Sequence, residues 1–383
     1  MKKLLCLFLV LSMSFCLFAC GNSETQKNIV DATATDADIA TLEGLYQDLQ
    51  VHHGQLHEHS DSGRRSDGKH TLAEWKENMP SVDMEYVALL DHRQTDHMYH
   101  EDWDSSLFIS GTEAMTYILD RNKLYNKYHY NMIFNHVSDM EALLYNHEET
   151  YKFSNGLFRY RSMTSVEFIE IIQEVLASGG YFVIAHPGQT LGEVSEDPLE
   201  YYYCDGIGYE VFYHLYGNPD ARDLQTQINY KIYTGLLAAG KKVYASSGSD
   251  VHSLPTDRGL STIYSSQRQD TAYIEQLRKG NYTAGPVGVR MTIGDSVMGS
   301  TTDFNGQRIV VSVGDFHQSF SHGKYQLKLI SDKGEVCTVD IPSTDTCYFA
   351  FDADESAKFY RVEVHDTTQD YTLLAMGNPI WND

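Results

Sequence analysis

Short apolar runs recur along the chain, and each ends in a polar cluster. Strands are predicted at 55–57, 86–90, 107–110, 132–134, 181–185, 206–212 and 242–246. Helical periods lie between several of them. Thr164-Ser165-Val166-Glu167 resembles a capping box, Ile169, Ile172, Val175 and Leu176 form an apolar stripe, and Gly179-Gly180 closes a helix over 165–177. A second helix is predicted from Asp223 to Ala239, stopped by Gly240. Seven strands alternating with helices predict an α/β fold, either a parallel barrel or a doubly wound sheet. After Gly285 the texture changes to alternating runs at 308–313, 325–330, 348–351 and 359–364, separated by polar turns. That pattern predicts a small all-β domain, a β-sandwich, over 287–383.

The first nineteen residues read as an address. Lys2 and Lys3 precede an uncharged apolar run over 4–19, the form of an export signal. Leu17-Phe18-Ala19-Cys20 resembles a lipoprotein box, with Cys20 as the lipidated residue. The expectation is a signal peptide over 1–19, a flexible polar tether over 20–45, and display on the outer face of a bacterial cell membrane through a lipid anchor. Cys337 and Cys347 flank a turn, as a cross-strand disulfide or as two free thiols.

Composition sharpens this picture in two ways. With 29 Lys+Arg against 53 Asp+Glu, the formal charge of −24 argues against a nucleic-acid partner, which needs a basic face. At 42% hydrophobic and 12% aromatic residues, wholesale disorder is excluded. The 17 His are not spread evenly, since 14 lie between His52 and His252. They fall at predicted strand ends, where α/β folds gather functional groups: His57 and His59, Asp91 and His92, Glu113, Asn135 and His136, His186, Glu210, and Asp250 and His252. In His57-Glu58-His59 the two imidazoles, two residues apart on a strand, point the same way. Imidazole and carboxylate donors together suit Zn, Mn or Fe.

The ordered set His57-Glu58-His59-Ser60, Ser66-Asp67-Gly68, Leu90-Asp91-His92, Gly111-Thr112-Glu113, Ala185-His186-Pro187 and Ser249-Asp250-Val251-His252 resembles the polymerase and histidinol phosphatase (PHP) family. The lipoprotein box and Gly377-Asn378-Pro379-Ile380 look like an extracytoplasmic branch of it that includes a carbamate-hydrolysing, carbaryl-hydrolase-like group. The resemblance implies a distorted (β/α)7 barrel over 46–286, two or three divalent ions, and hydrolysis of phosphate esters by a metal-bridging hydroxide. His57, His59, Glu113 and Asp250 would hold one ion, and Glu113 would bridge to a second held by His136 and His186. His92 and His252 would hold a third, with Asp67 as the further ligand and Asp61 and His70 as competitors. Asp91 would orient His92 or a water. His252 would act as ligand or as the acid for the leaving group. Arg64, Arg65 and Lys69 are candidate contacts to a small anionic phosphoester, Arg65 foremost. Glu210 reads as a support rather than a ligand. His97, His100, His129 and His147 read as surface or substrate-loop residues, and 122–163 as a segment over the mouth. Two other activities fit the same residues: carboxyl or carbamate ester hydrolysis, and metal-stabilised binding without catalysis.

Overall fold

The computed structural model describes residues 32–62, 66–120, 123–147, 162–190, 198–213, 223–368 and 372–383. The predicted signal peptide, Cys20, Arg64 and Arg65 lie outside them. No helix among the described residues is long and apolar enough to cross a membrane.

The architecture is mixed α/β around one curled sheet. Strands β1 (Gln50–Glu58), β2 (Tyr86–Leu89) and β3 (Phe108–Asp120) pair in parallel. β4 (Lys123–Ile133) then runs antiparallel to β3, with β5 (Ser162–Met163) beside the β3 tip. β6 (Tyr181–Ala185) is antiparallel to β4, and β7 (Gly208–Tyr213) and β8 (Tyr244–Gly248) follow in parallel. The sheet curls until the Asp250 N–H, just past β8, donates to the His57 carbonyl on β1 at 2.9 Å. Every residue of β2, β6, β7 and β8 is buried, as expected of parallel strands covered on both faces.

β4 differs from the sequence expectation. In place of a short strand at 132–134 parallel to its neighbours, β3 and β4 form one long hairpin. β4 runs back antiparallel along β3, so residues after β4 lie at the opposite end of the sheet from the carboxyl end of β3. Asn135 there donates to the Gly179 carbonyl before β6, at 2.9 Å.

Helix α1 (Asp36–Tyr46) corrects the predicted tether at its carboxyl end. Thr35 and Asp38 form a capping box, and Leu42 and Tyr46, four residues apart, bury one stripe. Arg290 grips Glu43 with both guanidinium ends, at 3.0 and 2.7 Å, and Thr33 bridges to Phe349. Helices α2 (Leu72–Asn78) and α3 (Val137–Asn146) follow β1 and β4. In α4 (Ser165–Ala177) the Thr164–Glu167 capping box forms as the sequence indicates. Its buried stripe is Phe168, Ile171, Ile172 and Val175, turned from the predicted one because Phe168 packs between Tyr130 and Phe182. Helix α5 (Asp223–Ala238) ends before Gly240, which takes φ 79°.

β9 (Leu260–Ser265) pairs antiparallel with β1, and α6 (Asp270–Lys279) leads to β10 (Tyr282–Ala284). Beyond β10 the described elements are strands and one short 3-10 turn. β11 (Gly288–Ile293), β12 (Arg308–Gly314) and β14 (Cys347–Asp352) belong to a separate four-stranded sheet. β13 (Gly334–Ile341), carrying Cys337, belongs to the large sheet, and both cysteines are free thiols. β15 (Phe359–Asp366) and β16 (Thr372–Gly377) extend the curled sheet through β10. Two side chains tie this region into the barrel. Asn378 accepts from the Ala245 N–H at 2.8 Å and donates to the Tyr282 carbonyl at 3.2 Å. Glu363 accepts from Tyr230 of α5 at 2.7 Å while paired with buried Arg361 and His365.

Candidate metal centre

The carboxyl ends of the parallel strands converge on Glu113, which lies within β3 because that strand runs on into the hairpin. Its Oε2 faces His59 Nε2 at 3.3 Å, His57 Nε2 at 3.7 Å and His92 Nδ1 at 3.1 Å. Its Oε1 faces His129 Nδ1 at 2.7 Å and His186 Nε2 at 3.5 Å. Asp250 mirrors it: Oδ1 lies 3.3 Å from His59 Nε2 and 3.7 Å from His57 Nε2, and Oδ2 lies 3.7 Å from His186 Nε2. At the mouth, Asp67 Oδ1 lies between His92 Nε2 at 3.3 Å and His252 Nε2 at 3.1 Å.

Three groups of donor atoms are each compact enough for one ion, all within 4.8 Å of one another: His57, His59 and Asp250; His57, Glu113 and His186; and His59, Asp67, His92 and His252. The Nε2 atoms of His57, His59 and His186 and Oδ1 of Asp250 are buried and make no hydrogen bond. Buried polar atoms in native proteins are almost always satisfied, so this concentration marks a place built for a further partner. Imidazoles and carboxylates are the donor set of Zn, Mn and Fe, and the residues fit such ions.

The surroundings orient the donors. Glu210 on β7 accepts from His57 Nδ1 at 2.7 Å, which leaves Nε2 as the donor toward the site. The same carboxylate accepts from Asn131 at 3.1 Å and from the His186 N–H at 2.8 Å. A Cβ at Gly248 would stand 2.6 Å from the His57 Cβ and 2.7 Å from Glu210, so only glycine fits there. His186, Asp250 and His252 take positive φ of 28°, 49° and 53°. Such backbone is uncommon outside glycine, although Asp and His adopt it more readily than most, and it persists where the surroundings demand it.

Burial alone would raise the Glu113 carboxyl, but the imidazoles, His129 foremost, hold it well below the carboxylate range. Asp250 is likewise lowered, against burial, chiefly by His57. Burial disfavours the His59 cation, yet the Asp250 and Glu113 carboxylates facing it push it up to about 10. Protons thus occupy the site when ions do not, and ions must displace them. Buried Glu58, on the other face of β1, is pushed up to about 8.

The structure brings His57, His59, Asp67, His92, Glu113, His186, Asp250 and His252 together and leaves out His136. His136 is the exposed N-cap of α3, at the far end of the sheet, because β4 is antiparallel. His129, read from sequence as a surface or substrate-loop residue, sits beside Glu113, where His136 was expected. Its signal was the run 124–133, where Tyr128 and Tyr130 alternate with His129 and Asn131 in strand period. Asp91, expected to orient His92 or a water, directs its oxygens to Ser60: they accept from its N–H at 2.7 Å and its hydroxyl at 2.8 Å, fixing the turn after His59. His97, also read as a surface or substrate-loop residue, is buried and bonded to the Leu89 carbonyl at 3.0 Å. Of the competitors for the third group, His70 faces Glu74 at 3.5 Å, whereas Asp67 faces two site histidines.

No family model matches the chain, and no curated protein matches it. Solved structures do. One is the "putative metal-dependent phosphoesterase" from Bifidobacterium adolescentis, 18% identical, with a TM-score of 0.32, covering 54% of this chain and 91% of that one. Another is the lesion-specific endonuclease Q from Pyrococcus furiosus, 18% identical, with a TM-score of 0.41 over 60% of this chain. A third is endonuclease Q with a 27-mer duplex carrying an abasic lesion, 16% identical, with a TM-score of 0.40. The matched region spans 56% of each endonuclease Q chain.

Proposed function

We propose that this chain is a metal-dependent hydrolase of small phosphate esters, held by a lipid anchor at the outer face of a bacterial membrane. The observation that carries the reading is Glu113, one carboxylate whose two oxygens face different sets of imidazoles. Bound divalent ions supply an acidified water and neutralise the charge on phosphoryl oxygens, the two things phosphoryl transfer most needs.

The chain's own groups do the rest. Glu210 keeps the proton on Nδ1 of His57, so Nε2 always faces the site. His129 and His186 flank Oε1 of Glu113 from the hairpin and from the turn after β6. Asp67, His92 and His252 form the rim. An ion held among them would take His252 as a ligand. Without one, its Nε2 holds a proton facing Asp67 at 3.1 Å, raised above the usual imidazole range by Asp67 against the effect of burial, and it is placed to release that proton to a leaving group. The hairpin carries β3 seven residues beyond Glu113, about 23 Å of strand standing beside the mouth, which favours small substrates.

The test is elemental analysis of the purified protein together with hydrolysis of p-nitrophenyl phosphate, bis-p-nitrophenyl phosphate and an aryl carbamate, with and without chelator. Chelator-sensitive hydrolysis of a phosphate ester is expected. Hydrolysis of the carbamate alone, or full activity after the metal is shown to be gone, overturns the reading.

A further inference from the structure

β7 supplies none of the clustered donor atoms, yet it touches several residues that do. Glu210 holds His57 and the His186 backbone, as described above. Three residues on, Tyr213 reaches the same site. Its hydroxyl donates to Asp250 Oδ2 at 3.1 Å, and its ring lies 4.9 Å from the His186 ring, tilted by 49°. In a regular strand, residues three apart point to opposite faces. Here the β7–β8 register slips: Glu210 pairs with Ser246, but Phe212 already pairs with Ser247 and Tyr213 with Gly248. The extra residue is a β-bulge, and it turns Tyr213 back onto the face that Glu210 occupies. Bulges re-aim side chains in this way beside functional sites.

We propose that Tyr213 is a positioning residue of the metal centre, a role that rests on the metal reading above. By holding Oδ2 of Asp250 it fixes the carboxylate plane, so Oδ1 keeps facing His57 and His59. By packing on His186 it also limits the ring that faces Glu113. One side chain therefore restrains a member of each of two donor groups. The residue is nearly fully buried, so its hydroxyl belongs to this arrangement and not to solvent. No acid–base role is assigned to it, and burial together with Asp250 raises its hydroxyl far above the usual phenol range.

The experiment uses Tyr213→Phe, which removes one oxygen and keeps the ring. Tyr209→Phe is the control, because Tyr209 is buried on the same strand and its hydroxyl makes no hydrogen bond. Metal-stripped wild type and both variants are titrated calorimetrically with Mn2+ and with Zn2+, and visible spectra are taken with Co2+. Partners that orient ligands are worth roughly 10–100-fold in metal affinity. Tyr213→Phe is expected to weaken at least one ion by that factor and to shift the Co2+ spectrum. Tyr209→Phe should do neither, and the metal-free melting temperatures of Tyr213→Phe and wild type should agree. Isotherms and spectra of Tyr213→Phe identical to wild type overturn the role of Tyr213 while leaving the metal reading intact. A wild type that takes up none of the three ions overturns both.

Discussion

Acid should loosen this protein through a histidine remote from the metal centre. His53, on β1, is buried against β9, and its Nδ1–H is directed to Thr262 Oγ1 at 3.0 Å. That oxygen must accept, because its own proton goes to the Gly285 carbonyl at 2.9 Å. The ring of His317 stands edge-on at 5.5 Å. Burial, with a smaller push from His317, lowers His53 from 6.5 to about 4, and Asp83 and Glu85 only partly oppose this. The native state therefore refuses a proton that the unfolded chain accepts. The sign follows: the contribution is intact above the unfolded value and is lost as pH falls from about 6.5 toward about 4. Between about pH 7 and about pH 5 the loss is ~1.8 kcal/mol, with a ceiling of ~3.4 kcal/mol below about pH 4. The assay is urea unfolding followed by tryptophan fluorescence, with chelator present so that metal release does not contribute. His53→Asn keeps a donor for Thr262 and cannot titrate. Wild type should lose ~1.8 kcal/mol more than His53→Asn over that pH step. Parallel losses in the two proteins would refute the reasoning.

Other consequences are open to direct measurement. His129→Ala should cut metal affinity and hydrolysis sharply while His136→Ala leaves both unchanged, a contrast read by metal titration and initial rates. Glu210→Gln, which weakens the hold on His57, should loosen metal by roughly 10–100-fold in the same titration. Glu363→Ala strips buried Arg361 of its carboxylate and should cost about 3–5 kcal/mol in denaturant unfolding, whereas Glu335→Ala, at an exposed pair with Lys328, should cost under about 1 kcal/mol. Hundredfold excess of a bound ion over its Kd should add about 2.7 kcal/mol of stability, seen as a melting temperature that falls on chelation.

Much of the site was legible because parallel strands deliver their chemistry in chain order. His92, His186 and Asp250 each follow an apolar run, and they, like His57 and His59, lie near the ends of their strands. The hairpin was not legible in the same way. Its arms carry Tyr, Asn, Lys and Thr in place of Val and Ile, so 111–131 lacks a strong apolar alternation, and strand direction is not written in composition at all. Mistaking one direction moved a proposed ligand from His129 to His136. Tyr213 was hidden for a related reason: period-two reading assigns it to the wrong face, and the bulge that corrects this is a property of pairing with β8. Helix α1 was masked by its low apolar content, since two buried side chains and a salt bridge to Arg290 hold it.

Asn378 has a kinetic consequence. Its side chain completes hydrogen bonds at Ala245 and Tyr282, more than ninety residues earlier in each case. Neither hydrogen bond can form until the Gly377-Asn378-Pro379 segment is in place. Contacts so distant in sequence slow folding and leave partly assembled forms exposed. The strand leading to Asp250 is thus held in part by a side chain from near the end of the chain. A chain that ended before that segment would carry every metal-site residue, the last being His252, and lack the side chain that ties β8 to β10.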